Sequence, residues 1–139
     1  MIIRLVPYIY LDGDAEEAMS FYQEVLELRN PQIMRYKDAS PEHVGNPWGE
    51  KILHGSLEHD KFELFFSDSQ EGSVTPEGGR LSITLDFDSE EEIKKVYDAL
   101  KAGGVVKMEL QPTFWDALYG AVVDKYGIHW DLNCQIPKG

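Results

Sequence analysis

The sequence has one cysteine, Cys134, in 139 residues, which excludes an internal disulfide and a cysteine-based zinc cluster. Basic residues are scarce: 13 Lys and Arg stand against 25 Asp and Glu, for a net charge of −12. A surface that acidic repels phosphate backbones and anionic lipid, which argues against nucleic acid and membrane partners. No apolar run approaches the roughly 20 residues of a spanning helix. The opening Met1-Ile2-Ile3-Arg4-Leu5 lacks the pattern of a secretory signal. A Gly-rich strand-to-helix turn of the nucleotide-binding kind is also missing. A cytoplasmic protein is expected. The rest is ordinary globular chemistry, 42% hydrophobic and 27% charged, and fits a single domain over 1–139.

What is present is an internal repeat. Residues 11–26 (LDGDAEEAMSFYQEVL) lie over residues 85–100 (LDFDSEEEIKKVYDAL) at an offset of 74, with six of 16 positions identical. Each copy reads as an amphipathic helix. In the second, Ile93, Val96, Tyr97 and Leu100 form one stripe, Ser89 with Glu92 fits a capping box, and Gly103-Gly104 supplies the left-handed stop. In the first, Asp14 is the expected cap, and Ala18, Phe21, Tyr22 and Val25 form the stripe. Glu90-Glu91-Glu92 suits the dipole of a helix start. Strands are expected over 3–11, 32–37, 51–59, 61–67, 80–87, 104–110, 118–124 and 128–135, with long Pro- and Gly-rich loops at 38–50 and 68–79. The order is β-α-β-β-β, twice: module one 1–70, a joint at 71–79, and module two 80–136. The fold class is α+β.

Strand parity groups some side chains. If Ile128, Trp130 and Leu132 pack on the helices, then His129, Asp131 and Asn133 face the other way, as do Ser82, Thr84 and Asp86 on their strand. With Tyr8 and Tyr10 these make a polar-aromatic surface, read either as a small-molecule pocket or as a solvated or dimer-packing face. His54 and His59 are five apart on a strand and cannot chelate together. His54 is a pocket base or ligand, or a hydrogen-bonded strand histidine. His129 lies two residues from Asp131 and is placed to orient or protonate a ligand. Trp115, after Phe114, walls the pocket or closes the core, and Trp48 is a candidate cover. His43 has no visible partner in the sequence, and Cys134 reads as a packed, inert thiol.

A doubled βαβββ unit in about 140 residues resembles the vicinal oxygen chelate superfamily, which includes glyoxalase I, extradiol dioxygenases and fosfomycin and bleomycin resistance proteins. The words PYIYLDGDAEEAMSFYQEVL (7–26), MRYKDA (34–39), WGEKILHGSLE (48–58), SITLDFDSEEE (82–92) and LQPTFWDALYGAVVDKYGIHWDLNC (110–134) are similar to its PhnB-like branch. The resemblance implies U-shaped mixed sheets around a pocket, helices on the outer face, and a homodimer. Metal-dependent members hold one divalent ion with His and Glu from the first and last strands of each module. Here those positions fall at Val6, Pro7 or Tyr8; at Glu63 or Phe65; at Ser82; and at Asp131. Both histidines are missing, so a divalent metal rests on Glu63 and Asp131, with Mg and waters the easiest fit.

The expected function is therefore binding of a small organic ligand without a tight transition metal. Asp131 and His129 are the acid–base candidates, and Tyr8, Tyr10, His54, Ser82, Trp115 and Asn133 the ligand-binding ones. The alternative is a metal-dependent lyase or dioxygenase of the glyoxalase type, with Glu63 and Asp131 as ligands and His54 recruited as a third.

Overall fold

The computed structural model describes residues 1, 4–69, 81–113 and 116–136. The chain divides into two compact units, Met1–Pro76 and Glu77–Gly139. Each unit carries one open four-stranded mixed sheet.

The first unit runs β1 (Tyr8–Leu11), α1 (Ala15–Val25), β2 (Arg29–Arg35), the short α2 (Tyr36–Ala39), β3 (Ile52–Glu58) and β4 (Glu63–Asp68). Its strand order is β1-β4-β3-β2; β1 lies parallel to β4 and the other pairs are antiparallel. The second unit repeats this with β5 (Ile83–Phe87), α3 (Glu90–Lys101), β6 (Val105–Pro112), β7 (Ala117–Val123) and β8 (His129–Gln135), in the order β5-β8-β7-β6. The βαβββ order read from the repeat is the order observed.

Each helix covers one face of its own sheet. Tyr22 of α1 stacks on Phe66 of β4 with ring centroids 5.8 Å apart. Ile9, Leu11, Leu57 and Leu64 complete the buried layer. In the second unit Ile93, Val96, Tyr97 and Leu100 meet Leu118, Val122, Trp130 and Leu132. Each such side chain contributes about 1.5–3 kcal/mol of apolar burial. Close approach needs small residues on the sheet. A Cβ at Gly55 of β3 would stand 2.5 Å from Met19 Sδ, and one at Gly120 of β7 would stand 3.2 Å from Tyr97 Cε2.

Several local expectations are corrected. β1 begins at Tyr8 rather than residue 3, and Leu5, inside the expected strand, is 86% exposed. The buried stripe of α1 is Ala15, Ala18, Met19 and Tyr22, about a sixth of a turn away from the expected one, because Met19 must lie over Gly55. β2 spans 29–35, and its expected continuation at Tyr36 turns helical instead. Residues 41–43 and 47–50 within the expected loop form 3-10 turns.

The cap of α1 is also different. Asp14 occupies the N-cap position but makes no capping side-chain bond. The carboxylate of Asp68, at the end of β4, does the work: Oδ1 accepts from the amides of Gly13 and Ala15 at 2.8 and 2.9 Å, and Oδ2 accepts from Ile52 N at 2.9 Å. Asp68 is 1% exposed. In the second unit Ser89 caps α3 locally, its Oγ accepting from Glu92 N.

Candidate functional site

The sheet face turned away from α1 is aromatic. Along β1, Ile9 and Leu11 are buried while Tyr8 and Tyr10 are exposed, as strand alternation requires. The Tyr8 and Tyr10 rings stack at 4.8 Å. Phe65 of β4 is paired with Tyr8 in the parallel ladder, and its ring meets Tyr8 edge-on at 5.6 Å. His54 of β3 completes the group, 4.9 Å from Phe65 and 5.6 Å from Tyr8. Its Nδ1 is 2.7 Å from Tyr8 Oη. With the phenol donating, the imidazole is the Nε2–H tautomer, so Nε2 presents a donor. Burial, and then the neighbouring Tyr10 and Tyr36, push the Tyr8 phenol above its ordinary value. Tyr8 is therefore a neutral hydroxyl at physiological pH. At the rim, Arg4 forms an ion pair with Glu63 and sits over the Phe65 ring.

The corresponding face of the second unit is polar. Trp130, Leu132 and Cys134 of β8 are buried against α3, leaving His129, Asp131 and Asn133 half-buried on the opposite side. Asp131 accepts a hydrogen bond from Ser82, and its Oδ1 accepts from Tyr119 Oη at 2.9 Å. Asn133 donates to Asp86 at 3.2 Å. Tyr119 was not singled out in the sequence. It lies on β7 opposite Asn133 and reaches Asp131 diagonally, the ordinary range of a long side chain across an antiparallel pair. Burial, then the hydrogen bond to Asp131, hold its phenol above the ordinary value.

The remaining candidates are placed as follows. Trp115 lies outside the described residues. Trp48 and His43 lie against the Tyr36 ring in the first unit, at 6.2 and 5.6 Å. Cys134 is buried, and burial with Glu90 and Asp88 nearby pushes its thiol up, which disfavours the thiolate. His59 stacks on Phe62 in the β3–β4 hairpin.

A family model described as 3-demethylubiquinone-9 3-methyltransferase matches residues 3–133. The chain belongs to this family. Its fold agrees with that of protein PA1353 from Pseudomonas aeruginosa, 34% identical, with a TM-score of 0.85 over 98% of this chain and 100% of that one. The PhnB protein from Bacillus cereus is 25% identical, with a TM-score of 0.78 over 94% and 98%. A glyoxalase/bleomycin resistance protein/dioxygenase family enzyme from Burkholderia phytofirmans PsJN shares the fold, with 17% identity and a TM-score of 0.63 over 94% and 97%. The family thus has the architecture of the glyoxalase, bleomycin resistance and dioxygenase superfamily.

The donor set of this family member does not fit a tight transition-metal site. Among the described residues no three His, Cys, Asp or Glu side chains converge. Glu63 is engaged by Arg4, and both oxygens of Asp131 accept from hydroxyls. His54 shares a face with Glu63 but not a centre. Glu63 pairs with Glu58, four residues along β3 from His54, or about 13 Å.

Proposed function

We propose that the protein binds a small organic ligand with a flat ring on the aromatic face of its first sheet, without a tightly held transition metal. The observation that carries this reading is the array of Tyr8, Tyr10, His54 and Phe65. Four rings project from three strands, with the Tyr8–Tyr10 stack exposed and the Tyr8–His54 hydrogen bond fixing the polar edge. Such a surface combines apolar contact area with a few directed polar groups, as ligand sites do. Within the second unit, taken by itself, the Ser82–Asp131–Tyr119 group is a separate polar cluster, with Asp131 the acceptor and acid–base candidate and His129 on the same strand face the proton-carrying candidate.

Methyl transfer, the activity in the family's description, lacks support in the turn between the first strand and its helix. The β1–α1 turn is Leu11-Asp12-Gly13-Asp14. The amide of Gly13 is taken by Asp68 and its carbonyl by Lys51 Nζ at 2.8 Å, so the turn offers no free cradle to a cofactor's anionic group. A homodimer belongs to the same reading. The edge strands β2 and β6 expose Ile33, Met34, Val105, Val106 and Met108. Light scattering on the purified protein tests it. Among the described residues no helix is long and apolar enough to cross a membrane. A cytoplasmic setting remains part of the proposal.

The ligand reading is tested by titrating neutral single-ring fragments while following tyrosine ring signals by NMR. Shifts concentrated at Tyr8 and Tyr10, and lost in Tyr8→Ala, are expected. Fragments that leave these rings untouched would overturn it. Loading the chelator-treated protein with Ni, Zn, Mn, Fe(II) or Mg, followed by gel filtration and elemental analysis, tests the metal clause. One retained transition-metal ion per chain would reverse it.

A further inference from the structure

We propose that Glu63 and Phe65 form a subsite for a cationic group on that ligand, and that the chain's own Arg4 occupies it. The inference deepens the ligand reading above and rests on it.

Arg4 lies ahead of β1, in neither helix nor strand. Its guanidinium carbon stands 5.6 Å from the centre of the Phe65 ring, and the same group is ion-paired with Glu63. A ring face and a carboxylate two residues apart on one strand are a complete receptor for an amidinium, guanidinium or ammonium group. The ring supplies its negative quadrupole and the carboxylate its charge. Both are held by the sheet. Phe65 N donates to Pro7 O at 3.0 Å, and the Phe65 ring is wedged edge-on against Tyr8 and His54. The two partners differ in exposure: the Glu63 side chain is 25% exposed and that of Arg4 57%. The carboxylate is the built part and the arginine the displaceable part. An exposed ion pair of this kind is held only weakly. The net charge of −12 also raises the local concentration of cations over anions. A ligand with a ring on the Tyr8–Tyr10 stack can place a cationic substituent on Phe65, the ring that Tyr8 meets edge-on.

The test uses a matched pair of probes, phenylguanidinium and its uncharged analogue phenylurea, titrated into the full chain and followed by the Tyr8 and Phe65 ring signals. Arg4→Gln should tighten phenylguanidinium binding by about 5–10-fold and leave phenylurea within about twofold. Adding Glu63→Gln to that variant should abolish the gain. Both substitutions are at the surface, and an unchanged melting temperature shows that the fold is kept. If phenylurea binds as well as phenylguanidinium in Arg4→Gln, the cation subsite is refuted while the aromatic reading stands. If neither probe shifts the rings, the aromatic reading fails and the subsite with it.

Discussion

The two units use one topology and solve its weak points differently. In each, the first strand lies parallel to the last, and a helix starts a few residues after the first strand ends. In the first unit that helix start is satisfied from a distance, by Asp68 at the end of β4, opposite Leu11. In the second, the place opposite Phe87 at the end of β8 is held by Cys134, equally buried, and the helix is capped by the adjacent Ser89. A local cap leaves the last strand free to put an apolar residue there. A remote cap ties helix, first strand and last strand together, but it buries a carboxylate that needs all three of its amide partners. The helix ends differ too. The left-handed residue after α3 is Gly103, at φ +75°, and after α1 it is Glu27, at φ +55°.

The comparison is broken most severely at Asp68. Asp68→Ala should lower the unfolding free energy by about 3–5 kcal/mol, since it strands three amides, of which those of Ala15 and Ile52 are buried. The denaturation midpoint measures this. Ser89→Ala should cost only about 1 kcal/mol by the same measurement, because it removes one exposed local bond. Equal losses from the two substitutions would contradict the contrast between remote and local capping. The helix ends sharpen it further. Glu27→Gly should stabilise by about 0.5–1 kcal/mol, and Gly103→Ala should destabilise by about as much.

The smallest effect is alkaline. Tyr8 and Tyr119 both have phenols raised in the fold, so the fold favours their neutral form. Their contribution is complete below the unfolded value near 10 and is lost as pH rises through the folded values. Asp131→Asn should bring Tyr119 back toward the ordinary value and leave Tyr8 where it is. Absorbance titration of the phenols, with Tyr8→Phe as the reference, reads each in turn.

The features legible in the sequence are those that repeat within one element. The stripe of α3, the Ser89 cap, the Gly103 stop and the parity of 129–134 depend on residues a few positions apart. The Asp68 cap depends on a contact between residues 53 apart, and no local pattern encodes it. The stripe of α1 departs from its own hydrophobic pattern because Met19 answers to Gly55 on another element. In the candidate site, parity puts Asp131 and Ser82 on matching faces, but the Tyr119 hydroxyl needed the register of β7 against β8. A partial signal lay in the short link Asp124-Lys125-Tyr126-Gly127 between the two strands, which closes as a turn with Gly127 N donating to Asp124 O at 2.9 Å. The Tyr8–His54 bond pairs strands that are not neighbours in the chain, so His54 stayed ambiguous in the sequence.

The parallel pairing of first and last strands also sets an order of events during synthesis. Tyr8 leaves the ribosome well before its ladder partner Phe65, which lies on the last strand of the unit. Helix α1 can form at once, but its start stays uncapped and β1 unpaired until Asp68 has emerged. The hairpin of β3 and β4 offers local contacts that are expected to form first, with the docking of β1 following as the closing step. A chain stalled before residue 68 would present an unpaired β1 bearing two exposed tyrosines. Such an unpaired strand edge is the kind of surface that invites aggregation and chaperones.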